Sequence, residues 1–443
     1  MNCTYINRAL SIAVFGVAVC ANVCAQDGLQ KATTYTLEQC VNEATANNAK
    51  LRNADRQIMM SGEQRKEAFT KYFPTISAMG LGYTSNRGLV QMDMGGASVS
   101  MLKHGTAASV TAMQPLFAGG QIVNGNRLAK VGEDVSRLQR YLTENEIRLN
   151  TENYYWQAVM LKEKLHTIDR MEAQLTEMKK DAQAAVDAGT RNRNDLLQVQ
   201  LRHNETRTSR IHVENALSSV CDMLAQVMGH AGEDINVCDM FAASADSSLA
   251  DGGMADSPQQ LFIAPEEALP QTSEYQLLGK QVDADRLQYR LEVGKNLPSV
   301  AVGGGYTYNH LMGKSQNNLV GMFTVSVPIS SWWGGSHAIK RQKLQVANDI
   351  DDKRSQGELL VVRMRKAWND LNDAYKQVAI AQESIAQSEE NLRLNTDYYQ
   401  AGTCTISDVL DAQTLYQQSR DQYVESVAKY QIKKREYLQA TGR

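Results

Sequence analysis

Among 443 residues, 46 Lys and Arg face 49 Asp and Glu, which leaves a formal charge of −3. A balance of that kind argues against a nucleic-acid binder, which carries a basic excess or a clustered basic face. Only seven prolines occur, so long uninterrupted helices are permitted; beyond the N-terminus no run of ~18 apolar residues exists, which excludes a helical membrane protein but not a β-barrel.

In chain order, residues 1–25 read as a secretory signal peptide. Arg8 is its one charge, an apolar run spans Ala9 to Ala21, and Val23-Cys24-Ala25 supplies a small-residue cleavage site before Gln26. Lipidation at Cys20 or Cys24 is the alternative, with bulky Val19 and Val23 beside those sites. The mature chain keeps Cys40, Cys221, Cys238 and Cys404, without metal-ligand spacing. Cys221 and Cys238 are either a pair in an oxidising compartment or unpaired small hydrophobes.

Residues 26–228 form a first structural repeat. It reads as a helix over 37–72, strands at about 75–84 and 106–116, a long helix over 120–186, a turn at 188–190 and a returning helix over 191–228. Residues 229–271 are a low-complexity connection containing ASADSSLADGGMADSPQQ. Residues 272–443 are a second repeat: a helix over 272–296, strands at about 299–309 and 319–329 around the polar loop NHLMGKSQNN, a long helix over 335–399, a turn at 401–403 and a final helix to 441.

The case for duplication is positional. AGTRNRNDLLQVQ from Ala188 and AGTCTISDVLDAQ from Ala401 agree at six of 13 positions at an offset of 213, and the same offset separates Pro115 from Pro328. FPTISAMGLGY from Phe73 parallels LPSVAVGGGY from Leu297. Four landmarks in one order mark an internal repeat. The long helices carry coiled-coil periodicity: Leu161, Leu165, Ile168, Met171, Leu175, Met178 and Ala182 step by three and four, and Tyr416, Tyr423, Tyr430 and Tyr437 recur every seven residues. Such stripes are read as core seams. A 67-residue helix at about 1.5 Å per residue is a rod of ~100 Å.

The strands alternate: Val300, Val302, Tyr306 and Tyr308 against Ala301, Gly303, Gly305 and Thr307. Their length matches the ~9–11 residues of a tilted bilayer-crossing strand. Four strands cannot close a barrel, and lipid does not tolerate an open edge, so closure requires several chains: a dimer with eight strands or a trimer with twelve.

Signatures of chemistry are missing. The chain has no GxxxxGK[ST], no HExxH and no GxSxG. Its seven histidines are scattered, and His203 and His212 do not share a helix face for one metal. Met92, Met94 and Met101 fall in an expected outer loop, and Met more often fills gaps than binds soft metals. No catalytic residue, metal or cofactor is expected.

The signal peptide, the duplicated helix–strand–strand–helix unit, FPTISAMGLGY, QPLFAGG and YQAGTCTISDVLDAQTLYQQSRDQYVESVAKYQ together resemble the TolC-like outer-membrane factor family. The resemblance implies a mainly α chain with a small β part. Three copies would form a 12-stranded outer-membrane β-barrel continued by a long periplasmic α-helical coiled-coil barrel. The implied function is the outer-membrane exit duct of a tripartite efflux or type I secretion system. The implied partners are a homotrimer, a periplasmic adaptor, an inner-membrane pump and outer-membrane lipid, with no nucleic acid.

Residue by residue, the resemblance makes Ala188, Gly189, Thr190, Ala401, Gly402 and Thr403 the adaptor-docking tip turns. It makes Asp195 and Tyr399 gate residues, and Asp408 and Asp411 an acidic lining of the constriction. Cys404 stands where such members carry a gate arginine, and Arg191 or Arg193 is the substitute. Helix capping is the competing account of Asp408. Two other classes share some features: a periplasmic adaptor, which would need β-rich domains flanking one hairpin, and a structural coiled-coil envelope protein, which leaves the strand alternation unexplained.

Overall fold

The computed structural model of the chain describes residues 33–87, 90–94, 97–101, 103–238, 256–311 and 314–443. The expected signal peptide, with Cys20 and Cys24, lies outside the described residues, as do residues 239–255 of the low-complexity connection.

The first repeat opens with a short strand β1 (Thr33–Tyr35) and helices α1 (Leu37–Asn47) and α2 (Ala49–Thr70). One continuous helix was expected here. The break comes at Asn48, whose backbone is extended (φ −66°, ψ 131°), ending α1 and capping α2. Its Oδ1 accepts from Lys50 N–H at 2.9 Å and its Nδ2 donates to the Val227 carbonyl at 2.8 Å. An asparagine satisfies both partners because its side chain competes with the helical backbone for local bonds.

Strand β2 (Thr75–Thr84) follows, then a hairpin of β3 (Val90–Met94) and β4 (Ala97–Met101), then β5 (His104–Ala118). Met92, Met94 and Met101, expected in an outer loop, lie in this two-stranded hairpin between β2 and β5. Helix α3 (Gln121–Asp187) runs 67 residues, and α4 (Arg193–Met228) returns. The connection contains β6 (Ile235–Val237), parallel to β1, a 3₁₀ turn at Pro258–Leu261, a short helix α5 (Pro265–Ala268) and a second 3₁₀ turn at Leu269–Gln271.

The second repeat consists of α6 (Ser273–Lys295), β7 (Ser299–Leu311), β8 (Lys314–Ser326), α7 (Ser331–Gln400) and α8 (Ile406–Ala440). Strand β8 starts five residues before the expected 319 and ends three before 329. The presumed loop NHLMGKSQNN is mostly ladder, with Tyr308 opposite Asn317 and His310 opposite Ser315. Polar side chains do not stop a hairpin whose backbone groups pair; at the other end Pro328 has no N–H to extend the ladder.

Strands β2, β5, β7 and β8 form one antiparallel sheet in that order. The helices repeat this order below it. α3 packs against α2 and α4 on one side and against α6 and α8 on the other, and α7 packs against α6 and α8. Each long helix is thus flanked by two shorter ones end to end, as their lengths predicted. Sheet and helices meet at a close backbone contact: Gly119 (φ +60°) lies against Gly294, where a Cβ would come 2.1 Å from the Gly294 carbonyl oxygen. Only glycine fits that approach.

The principal core gathers Tyr155, Trp156, Val159, Leu224, Met228, Leu371, Tyr430 and Tyr437 around the middle of the helices. Tyr423, Tyr430 and Tyr437 of the seven-residue series are buried, Tyr416 packs against them, and the polar ends are satisfied: Tyr430 donates to the Asp256 carbonyl at 2.5 Å and Tyr437 accepts from Ile263 N–H at 3.0 Å. Cys40, Cys221, Cys238 and Cys404 are all free thiols.

Candidate functional site

Two regions stand apart from ordinary packing: the far tip of the helices and the faces of the sheet. At the tip, α3 turns into α4 through Ala188-Gly189-Thr190, and α7 into α8 through Ala401-Gly402-Thr403. The two turns are copies. Gly189 (φ +69°) and Gly402 (φ +73°) both adopt the left-handed region that favours glycine after a helix. Thr190 donates N–H and Oγ1–H to the Ala185 carbonyl, each at 2.9 Å; Thr403 does the same to the Tyr398 carbonyl at 2.9 and 3.0 Å. Every partner is separated by 213 positions, so the sequence repeat is also a repeat of hydrogen bonds.

The hairpins are joined by Arg191. Its Nη2 donates to the Tyr399 carbonyl at 3.0 Å, and its guanidinium carbon lies 4.1 Å from the centre of the Tyr399 ring. The cation therefore covers an aromatic face and sits at the carbonyl end of α7, where positive charge is favoured. Burial pushes the Tyr399 phenol up, Arg191 opposes that shift, and Asp195, Cys404 and Asp181 add to it. Three expected gate residues, Arg191, Asp195 and Tyr399, are thus brought together. Arg193 is exposed and lies outside this cluster.

Arg191 and Cys404 are equivalent positions of the two repeats, again 213 apart. The arginine missing from the second turn is present in the first, from which it reaches across to the second hairpin. Cys404 instead donates its thiol to the Asn395 carbonyl at 3.3 Å.

Asp408 belongs to a capping box at the start of α8: its Oδ2 accepts from Thr405 N–H at 2.8 Å and Thr405 Oγ1–H at 2.7 Å, while Thr405 Oγ1 accepts from Asp408 N–H. These bonds hold its carboxyl below the usual range. The carboxylate is exposed and ionised, and Asp411, one turn on, is exposed as well. Capping therefore occupies Asp408 without removing its charge.

Between the hairpins lies a cleft of ≈ 740 Å³, lined among others by Glu177, Asp181, Arg191, Glu389, Arg393 and Tyr399. Arg393 is held by Glu390 at 2.7 Å and Asp397 at 2.9 Å. No pattern in the sequence marks this cleft or the place of Asp181 in its lining. The one indirect signal was the pairing of Arg191 with Cys404 through the repeat offset.

The sheet presents two different faces. By register, Ile76, Val110, Val302, Tyr306, Leu319, Phe323 and Val325 share one face, and all are exposed in the single chain. The opposite face carries Ser77, Thr111, Thr307, Gln316, Asn318 and Thr324 together with Met79, Met113 and Met322. Phe73, Phe117, Trp332 and Trp333 lie exposed where strands meet helices, as an aromatic rim does at a membrane boundary. Among the described residues no helix is long and apolar enough to cross a membrane.

The profile of the Outer membrane efflux protein family matches residues 40–230 and 265–443. No curated protein matches the chain by sequence. Among solved structures, CusC is similar at a TM-score of 0.78 and 14% identity, covering 92% of each chain. The Campylobacter jejuni CmeC outer membrane channel is similar at 0.73 and 14%, covering 98% of this chain and 94% of its own. The Neisseria gonorrhoeae MtrE outer membrane channel, in its open state, is similar at 0.71 and 14%, covering 92% and 88%.

Proposed function

The chain belongs to the outer membrane efflux protein family, the outer-membrane exit ducts of tripartite efflux systems, and on that premise we propose that three copies close one continuous channel from the periplasm to the exterior. The observation that carries this reading is the coincidence of open edges. β2 and β8 are the unpaired edges of the sheet, and the same two flanks of the helical layer, α2 with α4 and α7, are the ones left without a neighbour. Exposed Met59, Leu197, Leu201 and Ile211 on one flank and Leu344, Leu359, Val362 and Ile380 on the other supply apolar surface for both. A head-to-tail contact of that kind closes into a ring, and a closed ring removes the edges that lipid cannot satisfy. The apolar face then meets lipid and the polar one lines the bore.

At the tip, the turns Ala188–Thr190 and Ala401–Thr403, with the cleft between them, receive a periplasmic adaptor that couples the duct to an inner-membrane pump. Asp195, Tyr399 and Arg191 hold the hairpins together, and Asp411, with Asp408 from within its capping box, rings the aperture. Three copies of each carboxylate around one axis favour cations. Planar-bilayer recording tests this: the wild-type protein should be mostly closed, prefer cations and be blocked by multivalent cations from the tip side. Asp408→Asn with Asp411→Asn should lose that block and preference. Asparagine preserves much of the capping, so an unchanged double variant would remove both carboxylates from the pore.

A further inference from the structure

The cleft between the two tip hairpins contains polar chemistry that the packing of the hairpins leaves unused. Gln413 of α8 lines this cleft and is only 2% exposed. Its Nε2 donates to Gln174 Oε1 of α3 at 3.3 Å, whereas its own Oε1 is buried and receives no donor. A buried acceptor without a partner is costly, so this oxygen is suited to an N–H brought by a ligand.

Around that oxygen the cleft combines an apolar wall with a charged one. Met178 and Tyr399 pack on the small core of Leu175, Val199, Ile406 and Leu410, and Met178, Tyr399 and Ile406 also line the cleft. The apolar wall is therefore anchored by the hairpins' own core. On the charged wall both guanidiniums are already engaged, Arg191 with Tyr399 and Arg393 with Glu390 and Asp397. Among the described residues no ion pair reaches Asp181 of α3 or Glu389 of α7, and Glu177 has only exposed Lys180 at 3.9 Å. The lining thus carries carboxylates that no neighbouring cation neutralises. At ≈ 740 Å³ the cleft lies within the range of about 300–1,000 Å³ found for small-molecule sites.

We propose that this cleft binds a primary organic ammonium with an apolar body, an aryl or alkyl amine. One ammonium N–H donates to Gln413 Oε1, and the charge is held between Asp181 and Glu389. The apolar part lies on Met178 and Ile406. Each group has a separate task, which sets the selectivity. A quaternary ammonium keeps the charge but has no N–H for Gln413, and a neutral alcohol keeps a donor but gives the carboxylates nothing to attract. Because Asp181 belongs to the first hairpin and Glu389 to the second, the bound cation braces the two hairpins against each other. The same cleft serves adaptor docking in the duct reading, but amine binding is a property of the isolated protein. Failure of either leaves the other standing.

The test is isothermal titration calorimetry of the detergent-extracted protein at neutral pH with three probes: naphthylmethylammonium, its trimethylated analogue and naphthylmethanol. The primary ammonium should saturate one site per chain, the trimethylated cation should bind several-fold more weakly, and the alcohol should show no saturable binding. Asp181→Asn with Glu389→Gln, both at exposed positions, should weaken ammonium binding by about tenfold. Gln413→Met keeps the volume but removes the acceptor, and should make the two cations bind alike. The absence of saturable ammonium binding to the wild type would overturn the proposal. So would an alcohol that binds as tightly as the ammonium, because the cleft would then select apolar bulk alone. Ammonium binding unchanged in the carboxylate double variant would overturn it as well, by placing the probe outside the cleft.

Discussion

In the proposed gate, Arg191 is the contact that holds the tip closed. It makes one charged hydrogen bond and one cation–π contact to the same tyrosine, and both partners sit at an exposed hairpin end. Each contact is worth about 0.5–3 kcal/mol, so their joint loss shifts a closed–open equilibrium by roughly tenfold or more. Arg191→Ala is expected to raise open probability in bilayer recordings without lowering the yield of folded protein. Arg191→Lys should fall between the two, since lysine keeps the charge but loses the planar fork. A variant that is as closed as wild type would assign the hold to other contacts.

His230 gives a second test at this scale, far from the tip. Its ring nitrogens lie 3.3 Å from Glu43 of α1 and 3.3 Å from Glu233, and these carboxylates raise its pKa above the ordinary histidine value. A raised histidine contributes stability below the unfolded value near 6.5 and loses it as pH climbs through the folded one. His230→Gln should therefore lower Tm at pH 5.5 and be nearly neutral at pH 8.5, as read by unfolding at both values. Equal effects at the two pH values would mean the carboxylates do not stabilise the charged ring.

Among the elements, the tip hairpins show most clearly what was legible beforehand. Gly189 and Gly402 have open space around their missing Cβ, so their requirement is conformational: φ of +69° and +73° costs a side-chain-bearing residue about 1–2 kcal/mol. Proline cannot adopt that value at all. Gly402→Pro is expected to abolish efflux while the assembly and its membrane location persist, measured by drug accumulation beside a membrane-fraction blot. Loss of the assembly would make the glycine a folding residue instead.

The repeat offset, the helix lengths and the buried tyrosine series could be read from residue spacing because periodicity records which side chains pack together. The break at Asn48 could not, since it depends on a carbonyl, that of Val227, 179 residues away. The extension of β8 into polar residues was hidden for a similar reason: backbone pairing with β7, and not side-chain pattern, holds Lys314 to Asn318 in the ladder. At the tip, the glycine turns were legible as copies of one another, whereas which arginine, Arg191 or Arg193, lies against Tyr399 depends on the angle at which the hairpins meet. Asp408 carried two readings because a carboxylate three residues after a threonine suits both a cap and a pore.

For the molecule as a whole, one chain is an incomplete object. Its sheet has two free edges, its helical layer has two free flanks, and Leu319 on the outer sheet face is 86% exposed. Each feature is costly in isolation, and the proposed ring would resolve them together. The apolar sheet face also explains why membrane residence needs no long hydrophobic helix, and none occurs among the described residues. The most direct measurement of the central claim is the mass of the protein extracted in mild detergent, by native mass spectrometry or by light scattering corrected for detergent. Three chains per particle, dissociating only on harsh denaturation, is the predicted result. A stable monomer with its sheet intact would contradict it.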